Sequence, residues 1–528
     1  MAHSTRRDFI KHSLLGTSAL AFGAGLLQGC DRTTSTEQQQ SVNAGNDQPR
    51  YGGVLRIGLL GGNQVGNLDV HKPIGTGVQR GFALYSKLWE WDENMAPRLA
   101  LAESAEANTD ATKWTIRLKK GLEFHHGKTI TADDVIFSLK RLVDPKLASP
   151  FASLLYAVDV NHLKKLDNRT VEIGFRDAQG FVPLPDTWTN FGGIVPTDYD
   201  PVSNPVGAGP YKLKEFIPGQ RSTFSRFENY FKDGKPYADE LQIIDFKDQT
   251  SRLLAFQNGQ IDLIGNVAAE QYKLLQLDKR IQLIESKTAG WLSFDMNLSK
   301  PPFNDPRVVE AFKLLVDRED LIQRALNGLG QVANDLYSPH DPTFNHSIPQ
   351  RTQDLAKAKA LLAEAGYDAS KAKPLSVELI TTPNSYYQAA LILAEQAKQV
   401  GVEIKVKYVD AATFNGANRN NFTFSTGSLL AESFLSTALH VDAPVSVANK
   451  THFNDPEFSE LFAQALTEPD LEKRKPLVHR AQQIQHEKGG LLIWSFPTVI
   501  DAFSTKIGGA VAEQTQFATW RYENLWLK

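Results

Sequence analysis

The sequence contains very little cysteine and no excess of charge of either sign. Among 528 residues it has a single cysteine, Cys30, which excludes an intrachain disulfide and a metal site built from several cysteines. It has 57 basic and 60 acidic residues, a formal net charge of -3, and no block of consecutive lysines and arginines. Nucleic-acid-binding proteins ordinarily have a basic excess, so this composition argues against nucleic acid as a partner.

Long hydrophobic runs are also missing. The uncharged run at 14–27 has about 14 residues, too few to cross a bilayer core of about 30 Å but typical of the core of a signal peptide. Arg6 and Arg7 precede it in "STRRDFIK", which resembles the twin-arginine export signal. We therefore expect residues 1–29 to be a twin-arginine signal peptide.

The single cysteine ends this segment. "LLQGC" at 26–30 resembles a lipoprotein processing site, which implies cleavage before Cys30 and lipid on its thiol. The alternative is a weak membrane anchor with an incidental cysteine. Asp31 resembles the signal that keeps a lipoprotein in the inner membrane of Gram-negative bacteria. In a Gram-positive cell the anchor would hold the protein at the extracytoplasmic face of the membrane. The polar residues 30–50 predict a flexible tether, because they carry too little apolar surface to fold.

Catalytic and nucleotide-binding motifs are absent in the form that their chemistry requires. "GLEFHHGKT" at 121–129 ends like a P-loop, but five residues instead of four separate its first glycine from Gly-Lys-Thr. There is no G-x-S-x-G nucleophile elbow, and His486–Glu487 is followed by glycines instead of a second zinc-binding histidine. We expect a protein without catalytic activity, cofactor or metal; an exported lipoprotein enzyme is the alternative of another class.

What is present is an alternation of β-branched runs with amphipathic stretches, which predicts an α/β fold. "GGVLRIGLL" (52–60) and "KWTIRLKK" (113–120) are predicted strands, the second half-buried because apolar residues alternate with polar ones. Gly401 is a helix stop signal within the second of two predicted strand–helix–strand units. These units are 241–246, 251–258 and 261–265, and 374–382, 386–400 and 402–409.

The P-loop-like stretch has a simpler interpretation as a turn between a strand and a helix. Thr131 is the predicted N-cap of the helix "ADDVIFSLKRLVD", and Asp134 at N3 completes a capping box. Asp133 and Asp134 are therefore interpreted as capping acids and not as metal ligands. His125 and His126 are adjacent on extended backbone, so their side chains are expected on opposite faces.

Four motifs in one order resemble the family 5 extracellular solute-binding proteins, the peptide, dipeptide and nickel receptors of ABC importers. Phe124-His125-His126-Gly127, followed by Thr-Ala and Asp-Val, is similar to the Phe-His-Asp-Gly signature of that family. "NPVGAGPY" resembles its Pro-Val-Gly-Thr-Gly-Pro-Tyr segment, with Ala208 in place of threonine. Segments 292–322 and 354–367 resemble later parts of the family, so the resemblance covers the chain from Tyr51 onward.

The resemblance implies a type II periplasmic-binding-protein fold of the peptide-binding cluster, with three domains in two lobes. Domain I is expected from 51–70, 192–287 and 495–528, domain II from 71–191, and domain III from 288–494. Chain crossings near 287 and 495 would form a hinge, and the lobes would close on a ligand.

The family's cleft-facing segments indicate the candidate ligand-binding residues. Trp291 either stacks on a ligand or packs in the core. The stretch "FSTGSLLAESF" (424–434) contributes Ser425, Thr426, Gly427 and Ser428.

Glu432 is the remaining candidate. In peptide-binding members the stretch that resembles 424–434 has an acidic residue that takes the peptide's free ammonium group. Glu432 is the sole acid of this stretch, and it either holds an amine or is a solvated loop charge.

The expected function is capture of a small solute, most readily a short peptide, and delivery to an inner-membrane ABC permease. The protein is expected to be a periplasmic monomer that contacts the membrane only through its lipid anchor. A metal chelate, an opine or a glycoside is the alternative ligand.

Overall fold

The structure is a computed structural model, and it describes residues 48–61, 66–187, 189, 192–368, 373–382, 385–446, 448–515 and 518–528. Arg6, Arg7, Cys30 and Asp31, together with most of the predicted tether, lie outside the described residues. Within the described part, no helix is both long and apolar enough to cross a membrane.

Strands and helices alternate along the described chain, which confirms the α/β prediction. The strands are β1 (Val54–Leu60), β2 (Trp89–Trp91), β3 (Pro97–Leu99), β4 (Ala102–Ala107), β5 (Lys113–Leu118), β6 (Val158–Asp167), β7 (Thr170–Phe175), β8 (Tyr211–Ile217), β9 (Arg221–Arg226), β10 (Glu240–Phe246), β11 (Leu263–Ile264), β12 (Ile281–Lys287), β13 (Trp291–Met296), β14 (Gly330–Val332), β15 (Leu375–Thr381), β16 (Val402–Tyr408), β17 (Phe424–Leu429), β18 (Leu491–Ser504), β19 (Ile507–Gly508) and β20 (Trp526–Leu527). The helices are α1 (Gly77–Leu84), α2 (Ala132–Leu142), α3 (Leu184–Thr187), α4 (Gln249–Gln257), α5 (Ala269–Leu275), α6 (Pro306–Leu315), α7 (Arg318–Ala325), α8 (Leu355–Glu364), α9 (Ser385–Lys398), α10 (Ala411–Phe414), α11 (Phe434–Val441), α12 (Pro456–Thr467) and α13 (Leu471–Lys488).

A mixed sheet of twelve strands dominates the fold. Its order is β16-β15-β17-β13-β18-β11-β1-β10-β9-β8, and β12 and β14 also pair with β18. In its first half, β1 lies between β10 and β11 and runs parallel to both, with α4 crossing from β10 to β11. This is the first predicted strand–helix–strand unit.

The second half of the sheet contains the other predicted unit. β15 and β16 are parallel, with Leu375 opposite Val402, and α9 crosses between them. Gly401 follows this helix with a φ of 78°, a conformation that favours glycine and ends the helix as predicted. Ala390, Leu393 and Ala397 of α9 are buried against the sheet.

β18 passes through both halves of the large sheet. Its first residues pair with β13, with Leu292 opposite Ser495. Its last residues pair with β12, with Lys287 opposite Thr498. The chain therefore leaves the first half of the sheet after Lys287 and returns to it within β18.

A separate antiparallel sheet, β4-β5-β7-β6, lies early in the chain and packs on α2. In β5 the buried residues Ile116 and Leu118 alternate with exposed ones, as predicted. The Asp134 carboxylate at the start of α2 accepts hydrogen bonds from the backbone N–H of Thr131 at 2.9 Å and from its hydroxyl at 2.9 Å. It also accepts from Lys128 Nζ at 2.7 Å and from the N–H of Thr197 at 3.0 Å, so it is a capping acid, as predicted.

One cluster of buried apolar side chains joins this early region to the last third of the chain. It includes Leu154 and Phe181 from the first region, and Phe434 and Leu466 from the second. The short 3₁₀ turn Ala152–Leu155 contacts α11, and the N–H of Val182 donates to the carbonyl of Leu466. Residues expected in domains II and III therefore share a continuous core in this conformation.

Candidate ligand-binding site

Most of the predicted binding residues lie on two neighbouring strands, β13 and β17. These strands are antiparallel, with Trp291 opposite Leu429 and Leu292 opposite Ser428. The pairing brings Trp291 and Ser428 to one small cavity, which we call the β17 cavity. Its volume of about 20 Å³ corresponds to about one water molecule. Its charged and titratable lining residues are Asp295, Arg419, His440 and Lys450.

Trp291 both packs in the core and lines the cavity. It is 3% exposed, and its ring stacks on Tyr337 at a centroid distance of 6.4 Å. Tyr337 in turn stacks on Phe434 at 5.5 Å. The indole Nε1 of Trp291 is buried without a hydrogen-bond partner in the described chain. An unpaired buried donor costs about 1–3 kcal/mol, so this atom is suited to an acceptor on an incoming molecule.

The other predicted residues of β17 differ in where their groups point. The Ser428 hydroxyl accepts a hydrogen bond from Tyr386 at 3.0 Å. Thr426 Oγ1 donates to Thr381 Oγ1 at 3.2 Å, and Ser425 pairs with Ile380 of β15. Ser425 and Thr426 thus interact with β15, whereas Ser428 borders the cavity.

Gly427 makes room for an acidic side chain of the facing strand. A Cβ atom at Gly427 would overlap both carboxylate oxygens of Asp295 and the hydroxyl of Ser293. Ser293 also donates a hydrogen bond to this carboxylate. Glycine at 427 is therefore required for the Asp295 carboxylate to lie against β17.

Three charged groups meet in the β17 cavity. Asp295 is 3% exposed, and its Oδ2 lies 3.4 Å from Lys450 Nζ. Burial lowers the pKa of Lys450, and the Asp295 carboxylate opposes this shift. Burial also lowers the pKa of Arg419, again opposed by Asp295. The Arg419 Nε is buried and has no hydrogen-bond partner in the described residues.

Glu432 lies just after β17 and is buried. It is 3% exposed, and its Oε1 lies 3.4 Å from His440 Nδ1. Its Oε2 is buried and accepts no hydrogen bond from the described residues. His440 also lines the β17 cavity, so Glu432 contacts a residue of the cavity wall without itself lining the cavity. Glu432 is thus not a solvated loop charge.

A second cavity, of about 230 Å³, lies between the early region and later parts of the chain; we call it the Asp186 cavity. It is bordered by Pro97 and Asp186 on one side and by His340, Asp341 and Ser433 on the other. Burial, reinforced by the Asp341 carboxylate, raises the pKa of Asp186 to about 7. The segment 424–434 therefore reaches both cavities, through Ser428 and through Ser433.

Elsewhere in the described part of the chain, histidines and acids do not assemble into a metal site. Among the described residues, no group of three or more His, Cys, Asp or Glu side chains is placed to hold a metal ion. His125 Nε2 lies 3.0 Å from the carbonyl of Gly209, whereas His126 Nε2 lies 3.8 Å from Asp198. The two rings thus have separate partners, and the P-loop-like stretch is a turn.

Sequence reasoning missed Asp295, Arg419, His440 and Lys450. Asp295 carried a signal, because it is the one charged residue of a buried strand and shares a face with Trp291 and Ser293. No sequence signal marked Arg419 or Lys450, since each lies in a separate polar loop. Only the tertiary fold brings these loops to β13.

Known proteins of one family are similar to this chain over most of its length. The profile described as bacterial extracellular solute-binding proteins, family 5 Middle, matches residues 96–437. Heme-binding protein A of Haemophilus influenzae is 28% identical over 441 residues, covering 77% of this chain and 80% of that protein. Periplasmic oligopeptide-binding protein OppA of Escherichia coli is 26% identical over 476 residues, covering 80% of this chain and 83% of that protein.

Among solved structures, AgaA from Agrobacterium tumefaciens R10, in complex with agropinic acid, superimposes with a TM-score of 0.78. It is 25% identical, and the match covers 90% of this chain and 99% of that one. The periplasmic-binding-protein fold expected from the resemblance is thereby confirmed.

Proposed function

The chain belongs to the bacterial extracellular solute-binding proteins of family 5, and from this premise we propose that it is the substrate-binding component of an ABC importer. It captures a short peptide and delivers it unaltered to inner-membrane permease subunits. The protein acts as a monomer and carries out no chemical reaction on its ligand.

The buried carboxylate of Glu432 is the observation that carries the peptide proposal. Its Oε2 is out of contact with water and accepts no hydrogen bond from the described residues. A peptide's free ammonium group supplies the missing donor together with an opposite charge. A neutral or anionic solute offers no such compensation at this position.

The proposed binding motion is closure of two lobes about the two chain crossings. Lobe one is domain I (51–70, 192–287 and 495–528) with domain II (71–191), and lobe two is domain III (288–494). The passage of the chain after Lys287 and through β18 supports this division. The ligand shifts the equilibrium towards closure only by its differential affinity for the closed state.

Export and anchoring form a separate part of the proposal. The chain leaves the cytoplasm through the twin-arginine signal at Arg6 and Arg7, and lipid on Cys30 holds it at the membrane. Asp31 keeps it in the inner membrane, on the periplasmic side. Labelling of cells with a radioactive fatty acid tests the anchor: wild type is expected to incorporate label and Cys30→Ala is not. Equal labelling of both proteins contradicts lipidation.

Native mass spectrometry of the protein purified from its own periplasm tests the function. A series of co-purifying peptide masses is the expected result. A single non-peptide mass contradicts the peptide proposal and supports a second candidate, capture of an opine-like or other non-peptide solute. The agropinic acid bound to AgaA and the name of heme-binding protein A favour that candidate.

A further inference from the structure

Tyr337 links the wall of the β17 cavity to the apolar core that the early region shares with the last third of the chain. Its ring stacks on Trp291, which lines the cavity, at a centroid distance of 6.4 Å and an interplanar angle of 23°. It also stacks on Phe434, at 5.5 Å and 26°. None of the three side chains is more than 3% exposed, so they form one buried unit, which we call the Tyr337 stack.

The Phe434 end of the Tyr337 stack reaches the early region. Phe434 is the first residue of α11, and α11 contacts the 3₁₀ turn Ala152–Leu155. Leu154 of this turn and Phe434 belong to the same cluster of buried apolar side chains. The stack therefore runs from the cavity wall to the contact between residues placed in domain II and residues placed in domain III.

The hydroxyl group of Tyr337 fixes the ring at the centre of the stack. It donates a hydrogen bond to Asp442 Oδ2 at 3.0 Å. Gln485 Nε2 donates to the same carboxylate oxygen at 2.7 Å and also to the Tyr337 hydroxyl. Asp442 and Gln485 are both buried. Because buried polar groups are costly to leave unpaired, this cluster resists a displacement of the Tyr337 ring.

The backbone on either side of Tyr337 is held in place as well. Asp335 and Ser338 both have a φ of 59°, in the left-handed region that residues other than glycine seldom occupy. The Asp335 carboxylate pairs with Arg318 at 2.7 Å, and the Ser338 hydroxyl donates to the carbonyl of Glu432 at 2.8 Å. Such conformations persist only where the surrounding structure fixes them, and they are concentrated at functional sites.

A ring that is fixed at its backbone and at its hydroxyl, and that packs on both the cavity wall and the domain contact, can transmit a displacement between the two. We propose that Tyr337 is a positioning residue that couples occupancy of the β17 cavity to closure of the lobes, because it sets the positions of Trp291 and Phe434 together. This inference rests on the proposed function, which supplies the ligand and the closing motion. Since coupling is reciprocal, a change at the domain contact must also be felt at Trp291.

This reciprocity is tested first without a ligand. The protein is labelled with 5-fluorotryptophan, and the ¹⁹F resonance of Trp291 is identified as the one that Trp291→Phe lacks. Leu154→Ala removes a buried side chain of the early region and is expected to shift this resonance when Tyr337 is present. The shift is expected to be lost in Tyr337→Leu, which has no ring to complete the stack. An equal shift with and without Tyr337, or no shift with it, overturns the proposal.

Ligand binding tests the coupling from the side of the cavity. In isothermal titration with tri-alanine, Tyr337→Leu is expected to bind about tenfold more weakly than wild type. At saturation its radius of gyration is expected to decrease less than that of wild type. Tyr337→Phe retains the ring and loses the hydroxyl group, so it is expected to be less stable in urea but to regain most of the affinity and closure. Wild-type affinity and closure in Tyr337→Leu overturn the proposal.

Phe224→Leu is the matched control for loss of a buried ring. Phe224 is fully buried in the core of the first half of the large sheet and lines neither the β17 cavity nor the Asp186 cavity. It is expected to lose stability in urea but to keep the affinity for tri-alanine. Circular dichroism verifies that each variant is folded. Where Tyr337→Leu does not fold, Tyr337→Met replaces it, because methionine adapts to irregular gaps in a core. A loss of affinity in Phe224→Leu as large as that in Tyr337→Leu overturns the proposal.

Failure of the proposed function gives a different result. If wild type does not bind tri-alanine, capture of a short peptide is contradicted, and the ¹⁹F comparison of Leu154→Ala with and without Tyr337 still decides the coupling. If wild type binds and closes but this comparison shows equal shifts, the proposed function is supported and the role of Tyr337 is overturned.

Discussion

The backbone N–H of Val182 donates a 2.9 Å hydrogen bond to the carbonyl of Leu466, across 284 positions of the chain (466 minus 182). This bond joins residues placed in domain II to residues placed in domain III, next to the apolar cluster that the two share. If the lobes separate as proposed, this bond and this cluster are disrupted. Under that proposal the contact belongs to the closed conformation and contributes to its stability.

Gly180 gives the first prediction, because it lies at this contact. A Cβ atom there would meet the Asp110 carbonyl oxygen at 2.5 Å and the Cα of Thr467 at 3.1 Å. Gly180→Ala is expected to weaken the closed state and to lower peptide affinity several-fold, although it is not in either cavity. Overpacking of this kind costs about 1–3 kcal/mol. Titration calorimetry measures the affinity, and urea denaturation measures the free energy of unfolding.

Gly81→Ala is the control for this change. Gly81 lies within α1, and a Cβ atom there meets only Val70 Cγ2 at 3.9 Å. Unchanged affinity and an equal or higher free energy of unfolding are expected, since alanine favours a helix over glycine by about 1 kcal/mol. Equal affinity of Gly180→Ala and wild type would show that the contact at Leu466 has no part in binding.

Glu432→Gln tests recognition of the ammonium group. The substitution removes the negative charge while preserving the shape of the side chain, so binding of tri-alanine is expected to weaken by about 1–3 kcal/mol. N-acetyl-tri-alanine, which has no ammonium group, is expected to bind both proteins equally. Glu457→Gln, at an exposed ion pair, is the control. An unchanged affinity for tri-alanine in Glu432→Gln removes this residue from the site.

Gly427→Ala tests whether β17 holds the Asp295 carboxylate in place. The new methyl group overlaps that carboxylate, so Asp295 must leave its present position, in which Oδ2 lies 3.4 Å from Lys450 Nζ. We expect the free energy of unfolding to fall by about 1–3 kcal/mol and peptide affinity to fall with it. Because Asp295→Ala removes the overlap with the carboxylate and leaves only the overlap with the Ser293 hydroxyl, the combined variant is expected to lose less unfolding free energy than the sum of the two single variants. If the losses of unfolding free energy in the two single variants add up exactly in the double variant, the proposed overlap between position 427 and Asp295 is contradicted.

Asp501 gives a prediction about pH. Burial raises its pKa to about 7, with a further contribution from Glu513 and opposition from a hydrogen bond and from Arg252. The folded state therefore binds more protons than the unfolded state between about pH 4 and pH 7, and this residue's contribution to stability falls as pH rises through that range. Asp501→Asn removes the effect and retains an acceptor for the N–H of Asn266.

The difference in unfolding free energy between Asp501→Asn and wild type is expected to grow by up to about 4 kcal/mol from pH 4 to pH 8. Asp278→Asn serves as the control, because Asp278 is half-buried and hydrogen bonds from Arg280 lower its pKa to about 2. The difference in unfolding free energy between Asp278→Asn and wild type is expected to stay constant between pH 5 and pH 8. If the difference in unfolding free energy between Asp501→Asn and wild type does not change with pH over the same range, the raised pKa of Asp501 is contradicted.

The regular parts of the fold could be predicted from sequence because their signals are local. The alternation in β5, the glycine stop at Gly401 and the capping pair Thr131 and Asp134 each depend on residues within a few positions of one another. These elements form where they were expected. The α/β class followed from them.

The binding site was harder to predict because its chemistry is assembled from distant loops. Trp291 and Ser428 were predicted as ligand-binding residues from the family resemblance, and both line the β17 cavity, whereas Gly427 has a steric role that no motif shows. Arg419 and Lys450 reach Asp295 only through tertiary packing, and polar loop residues of this kind look identical to solvated ones in a sequence. The shared core of Phe181 and Phe434 likewise depends on long-range contacts.

Small-angle X-ray scattering, recorded with and without a saturating tripeptide and followed by mass spectrometry of the recovered ligand, tests the central claim most directly. The account predicts that the radius of gyration decreases when tri-alanine binds, and that the peptide is recovered with its mass unchanged. A radius that stays constant at saturation, or a peptide recovered in fragments, would contradict capture and release by closing lobes.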